Sequence, residues 1–300
     1  MRVVIALGGN ALLRRGEAPD ARIQLEHVAA AAPALALAAA EHELLITHGN
    51  GPQVGLLAIE SSDDRSLAVP YPLDALVAET QGLIGYWLQQ SIAAAGLNQP
   101  IVALVTQTVV AADDPAFAAP TKFIGATYRD ADVDRLEARG WTVRQDGDAF
   151  RRVVPSPAPV RVVERAVIDG LLRGGTTVIA AGGGGAPVVE TDEGLRGVEA
   201  VVDKDHVAAL LALELEAELL VLLTDVAAVM SGFGTPAERP LGAVTVADLE
   251  GASFAEGSMG PKVAAACRFA RESGHPAVIG ALDDLAAVLR GEVGTRVERG

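Results

Sequence analysis

Only three lysines occur among the 24 basic residues of this 300-residue chain, and each sits where it could do chemistry. Lys122 follows Pro120-Thr121, Lys204 lies between Asp203 and Asp205, and Lys262 closes Gly257-Ser258-Met259-Gly260-Pro261. Lysine is normally among the commonest residues. A chain that has moved its surface bases to arginine keeps lysine where a compact point charge on a flexible stem is needed. Three glycine turns accompany the lysines: Gly8-Gly9-Asn10, Gly49-Asn50-Gly51 and Gly182-Gly183-Gly184-Gly185. Glycine lets backbone N–H groups come close to an anion, and a helix that follows adds its positive end. Lysines beside such turns suit phosphoryl transfer, which needs charge neutralisation and in-line positioning more than covalent help. No G-x-x-x-x-G-K-[ST] occurs and no turn completes G-x-G-x-x-G, so a nucleotide would be held by another kind of loop. His48 is either a base or a hydrogen-bonding support for its turn. His27, His42, His206 and His275 lack metal-ligand spacing, and the lone Cys267 lies among Ala264, Ala265, Ala266 and Phe269 as a small buried apolar residue.

The elements that must position these residues follow from the hydrophobic pattern. Val3–Leu7, Leu44–Thr47, Ile101–Thr106, Thr177–Ala181, Leu219–Leu223 and Ala277–Ile279 read as strands, nearly continuous in apolar residues as buried parallel strands are. Arg22–Glu43, Val54–Glu60, Leu73–Ala95, Val162–Arg173, His206–Glu216 and Lys262–Ser273 read as helices, the first kinked or broken at Pro33. Alternation of this kind makes an α/β protein with an open, mainly parallel sheet and helices on both faces, and places ligands at the carboxyl ends of the strands. Residues 113–159 interrupt the rhythm with charges, turns and five prolines, and read as a lid or small subdomain; Ser231–Leu241 reads as a surface loop, and Arg139 as a surface arginine.

Composition narrows the field. A net charge of −15 argues against broad contact with a nucleic-acid backbone, while still allowing one focused anion pocket. One cysteine excludes a disulfide framework. The longest apolar run, Val28 to Ala40, is too short to span a bilayer, and Val3–Leu7 is no signal-peptide core, so neither nucleic acid nor membrane is expected as a partner and a cytoplasmic location is.

Several stretches resemble one family: Ala6-Leu7-Gly8-Gly9-Asn10-Ala11, Thr47-His48-Gly49-Asn50-Gly51-Pro52-Gln53-Val54-Gly55, Thr80-Gln81-Gly82-Leu83-Ile84-Gly85-Tyr86, Pro120-Thr121-Lys122 and Arg151-Arg152-Val153-Val154-Pro155-Ser156-Pro157. Gly182–Gly185 with Pro187-Val188-Val189, Val198 through Asp205, and Gly257 through Lys262 to Gly294-Thr295 continue the series. In this order and over nearly the whole chain they resemble the carbamate kinases of the amino acid kinase superfamily.

The resemblance implies a three-layer αβα sandwich with a protruding lid, a homodimer, and reversible phosphoryl transfer between ATP and carbamate, giving ADP and carbamoyl phosphate, with Mg²⁺ carried by the nucleotide. Residues 1–300 would form one kinase domain, with an acceptor and dimer lobe over 1–205 and a nucleotide lobe over 206–300. Lys122, Lys204, Asp205 and Lys262 would be catalytic. Gly8, Gly9, Asn10, Gly49, Asn50, Gly51 and Arg152 would hold the acceptor and the transferred group. Gly182, Gly183, Gly184, Asp203, Thr224 and Lys262 would hold the nucleotide. Several positions depart from the family: Asp148 and Ala149 stand where an arginine and a glycine are usual, Phe123 and Ala126 where prolines are, and Met230 where a tyrosine is common. The altered lid leaves open another small carboxylic acid as acceptor, and the fold leaves open a nucleotide-binding regulator without turnover.

Overall fold

Val3, Ile5 and Leu7 point to one side of the strand Arg2–Leu7, Val4 and Ala6 to the other, and all five are buried. Apolar residues on both faces are what a strand covered by helices on both sides requires. In the computed structural model, which describes residues 1–9, 12–13, 16–235, 237–251, 254 and 259–300, this strand lies inside an eight-stranded sheet. Its order is Ala243–Thr245, Thr295–Glu298, Ala277–Ala281, Leu219–Thr224, Arg2–Leu7, Glu43–His48, Thr177–Ile179 and Ile101–Ala103. Every pairing is parallel except that between Ala277–Ala281 and Thr295–Glu298.

Helices Ala21–Glu41 and Leu73–Ala94 bury Val28, Leu35, Ile84 and Leu88 on the Val3 face; Arg165–Arg173, Lys204–Glu214 and Met259–Ser273 bury Ile168, Leu211 and Phe269 on the Val4 face. The result is a three-layer αβα sandwich. Pro33 does not break its helix, which runs unbroken from Ala21 to Glu41. Val28 and Ala32 before the proline and Leu35, Ala36 and Ala39 after it pack on the same core, and that packing outweighs the lost backbone hydrogen bond. By length and composition alone this helix could cross a membrane, but here its apolar residues cover the sheet.

The excursion is a subdomain of its own. Lys122–Tyr128, Ala149–Val154 and Thr142–Asp146 form an antiparallel sheet in that order, joined by a short helix Val133–Glu137. Gln107–Val110 and Pro159–Val162 pair with each other below it as a neck. Val162 is therefore a strand residue and the helix starts at Arg165, because the neck must pair before the chain can turn back. The expected lobe boundary between residues 205 and 206 falls inside helix Lys204–Glu214. Arg2–Leu7 pairs directly with Leu219–Thr224, so both halves share one sheet.

Thr295 ties the two ends of the Ser231–Leu241 loop to the sheet. The Val229 N–H donates to its Oγ1 at 2.9 Å, and that hydroxyl donates to the Leu241 carbonyl at 2.6 Å.

Candidate active site

The carboxyl ends of Arg2–Leu7, Glu43–His48 and Leu219–Thr224 open onto a cavity of about 1140 Å³, where the topology of a parallel sheet puts ligands. Lys122, Lys204 and Lys262 all line it. Gly8, Gly9 and Gly49 through Pro52 form one end, roofed by Lys122, Phe123 and Ile124 from the lid. Val226, Met230, Phe233, Leu241, Val244 and Phe254 form the other, and the Asp203-Lys204-Asp205 run lies on the lining with them.

The glycine turns serve two different ends. The Gly8 N–H donates to the Leu223 carbonyl at 3.0 Å and the Gly49 N–H to the Leu7 carbonyl at 2.9 Å, so these two donors prolong the sheet rather than face an anion. A Cβ at Gly8 would lie 2.8 Å from the Leu223 oxygen, and one at Gly49 2.8 Å from the Gly9 nitrogen. Both are glycine because the strand ends crowd together. Gly9 and Gly51 face open space, and Gly51-Pro52 starts the helix Gly51–Asp63, so an amino end with its positive partial charge meets the cavity there. Asn10, with Ala11, and the Gly257-Ser258 part of the third lysine's motif lie outside the described residues.

Gly182, Gly183 and Gly184 are buried, and only Gly183 reaches the cavity. A side chain at Gly182 would strike His48, one at Gly183 the Asn50 amide, and one at Gly184 the Val202 carbonyl. The turn is held by Thr47 Oγ1, which donates to the Ala181 carbonyl at 2.7 Å, and by Thr106 Oγ1, which accepts from the Ala181 N–H at 2.9 Å. Gln81 in turn clamps Thr106 through both its N–H and its hydroxyl. The glycine run thus backs the Gly49–Gly51 turn. Gly183 shares the cavity lining with Lys262, while Thr177–Ile179, which leads into the run, joins the sheet on the far side of Glu43–His48 from Leu219–Thr224.

The charged centre is a chain of pairs. Lys122 bonds to Asp203 and Lys204 to Asp205, while Lys262 Nζ lies 3.3 Å from the second oxygen of Asp205. Asp203 also caps helix Lys204–Glu214, its Oδ1 accepting the Asp205 N–H at 2.9 Å. Burial alone would raise both carboxyl pKa values. The lysines outweigh it, and both carboxyls stay well below the usual range. Burial would lower the Lys122 pKa, but Asp203 more than compensates and raises it. At Lys204 burial wins, helped by Lys262, and the ammonium holds its proton less tightly than an ordinary lysine despite Asp205. Such an ammonium gains by meeting a further negative charge.

His48 is a support. Its ring is buried, Nδ1 lies 3.0 Å from the Gly49 carbonyl, and it is outside the cavity lining. Burial lowers its pKa to about 4, so at neutral pH the ring is uncharged and Nδ1–H donates to Gly49. Below the ordinary value of 6.5 the unfolded chain takes up a proton that the folded ring refuses until about pH 4. Stability is therefore lost as pH falls through that window, by about 1.4 kcal/mol per pH unit. Urea unfolding of His48→Asn at pH 7, 6 and 5 should show this slope reduced by one proton; a pH dependence parallel to that of the wild type would remove His48 from the account.

Arg152 is not at the cavity. It stacks on Trp141 with its guanidinium carbon 4.3 Å from the ring centroid; burial lowers its pKa, and the ring and Glu199 offset part of that burial. Arg139 is no free surface arginine either: it reaches Asp63 at 2.6 Å, and its guanidinium carbon lies 6.0 Å from the centroid of the same Trp141 ring. Of the unusual lid residues, Phe123 lines the cavity and Asp148 does not. Thr224 lines it, as do Asp203 and Asp205. Ser231–Leu241 has the composition of a polar loop, and Phe233, between two glycines, is the residue in it that signals an apolar end.

Residues 1–281 match the amino acid kinase family. The chain is 49% identical to the carbamate kinase of Escherichia coli (strain K12), over 98% of each chain. It superposes on the carbamate kinase from Giardia lamblia bound to citric acid with a TM-score of 0.93, at 36% identity over 100% of this chain and 98% of that one. The same enzyme bound to AMP-PNP gives 0.90, at the same identity and coverage.

Proposed function

The chain belongs to the amino acid kinase family, and from that premise we propose that it is an ATP-dependent phosphotransferase interconverting ATP and carbamate with ADP and carbamoyl phosphate. One observation carries the reading: the only three lysines of the chain meet at one cavity, held there by two aspartates. Near full-length similarity to a carbamate kinase supports the choice of acceptor, and AMP-PNP in a solved relative supports the nucleotide.

In this reading the acceptor and the moving phosphoryl group lie at Gly9, Asn50 and Gly51. Lys122 and Lys204 flank that group and neutralise the charge that grows on its oxygens, in a site with little water to screen them. Lys262 takes the nucleotide phosphates near Thr224, and the base rests in the apolar end against Phe233, Val244 and Phe254. Asp203 and Asp205 orient the lysines and keep three like charges together while the site is empty. Mg²⁺ fits as a passenger of the nucleotide: it prefers phosphate oxygens, water and one or two carboxylates, and both central aspartates are already engaged by lysines. When bound it would offset phosphate charge. A cytoplasmic homodimer belongs to the same reading; Leu83 and Tyr86, one turn apart on Leu73–Ala94, leave an apolar strip exposed for a second subunit.

Phe123 favours one alternative, a different small carboxylic acid, because it puts an aromatic ring beside Lys122 on the acceptor side. A coupled assay for ATP made from ADP and Mg²⁺ separates the two. Turnover with carbamoyl phosphate well above that with acetyl phosphate is expected; the reverse order would transfer the assignment to the other acid.

A further inference from the structure

Gly55, in the helix Gly51–Asp63, and Gly125, in the lid strand Lys122–Tyr128, touch backbone to backbone. A Cβ on Gly55 would lie 1.9 Å from Gly125 Cα and 2.3 Å from its nitrogen, and one on Gly125 would lie 3.2 Å from Gly55 Cα. Gly125 has φ +72°, and the pairing of its strand with Ala149–Val154 shifts register between Ile124 and Tyr128. On the cavity side of this shift the pairing is regular: Lys122 opposite Val154, Phe123 opposite Val153, Ile124 opposite Arg152. Ile124 and Val154 are buried with Val54, Ala58, Leu76, Val77 and Val201, and the Pro155 carbonyl accepts the Val201 N–H at 3.0 Å, two residues from Asp203.

We propose that Gly55 and Gly125 are a positioning pair whose backbone contact sets how far Lys122 reaches into the cavity. Only two residues of paired strand, Phe123 and Ile124, separate the contact from Lys122, so a displacement at one end is passed to the other. Helix Gly51–Asp63 presents its first residues to the same cavity, and the contact therefore holds the acceptor end and Lys122 as one rigid unit. No side chain can replace it, since any Cβ at position 55 must push the lid outwards, and a shift of about 1 Å at a reacting group costs on the order of 10²-fold in rate.

Only the kinetic arm of the test rests on the phosphotransferase reading. The lysine arm does not, because with three lysines in the chain, competitive acetylation read by mass spectrometry reports Lys122 against Lys204 and Lys262 in the same molecule. In Gly55→Ala, Lys122, bonded to Asp203 and 29% exposed, should acetylate faster while the other two keep their wild-type rates. Its kcat should fall on the order of ten- to a hundred-fold, with the nucleotide KM little changed. Lys122→Ala should abolish any further effect of Gly55→Ala on kcat. Gly125→Ala, whose added carbon intrudes less, should act in the same direction more weakly, and carries the comparison if Gly55→Ala does not fold. Gly170→Ala, where a Cβ meets nothing within 4 Å, should leave every reading unchanged. A wild type that makes no ATP would overturn the phosphotransferase reading alone. Folded Gly55→Ala and Gly125→Ala proteins with unchanged Lys122 acetylation would overturn the positioning pair.

Discussion

Lys204→Ala should lower kcat by on the order of 10²–10³, about 3–4 kcal/mol of transition-state stabilisation. The ammonium lies within the cavity lining against Asp205, and burial has already weakened its hold on the proton, so charge arriving on a phosphoryl group would be met at full strength. Lys204→Arg should fail nearly as badly. Its fork-shaped cation must fit a place bounded by Asp205, with Lys262 only 3.3 Å beyond that carboxylate, and arginine cannot shrink to a point charge. Lys262→Ala should raise the nucleotide KM as well as lowering kcat. Arg22→Lys is the control; Arg22 is exposed and pairs with Glu26, one helical turn away. Steady-state kinetics with circular dichroism on these four variants decides the matter. A Lys204→Arg enzyme that keeps most of the wild-type kcat would show that charge alone is needed there.

Asp205→Asn should be the most destabilising single change at the site. Its two oxygens answer two buried lysines on two helices, Lys204–Glu214 and Met259–Ser273. Removing one partner of a buried ion pair costs about 3–5 kcal/mol, because the remaining charge is stranded; here two are. An anion that fills the place of the carboxylate should restore part of the loss. ADP or inorganic phosphate is therefore expected to raise the melting temperature of Asp205→Asn more than that of the wild type. Equal shifts in both proteins would mean that the lysines do not converge on the bound anion.

The alternation of apolar strands and helices made the sandwich legible, since burial on both faces writes itself into runs such as Leu219–Leu223. The lysines were legible because so few remain among the bases. What local pattern could not carry was who touches whom across the sheet. Gly182–Gly185 looks like a phosphate loop, and its neighbours turn out to be His48 and Asn50, which strand order alone decides. Arg152 follows a basic residue in a motif-rich stretch, yet its place is set by Trp141 on the adjacent lid strand's loop. Pro33 should stop a helix, and tertiary packing overrode it. Each miss is a long-range contact.

Thr295 has one more implication, which concerns the order in which a ribosome delivers the chain. Strand Thr295–Glu298 sits between Ala277–Ala281 and Ala243–Thr245, and its first residue holds both ends of the loop that carries Met230 and Phe233. The acceptor end of the cavity is built from residues near 8, 50 and 122 and braced by the Gly182–Gly184 turn and the Leu223 carbonyl, all of which precede residue 295. The opposite wall waits for residue 295, and until then Ala277–Ala281 is an open sheet edge and Ala243–Thr245 has no partner in the main sheet. A nascent chain can thus set its glycine turns before the loop that walls the other end is tied down, so the cavity is completed from one end to the other, with Thr295–Glu298 closing it after every other strand of the main sheet.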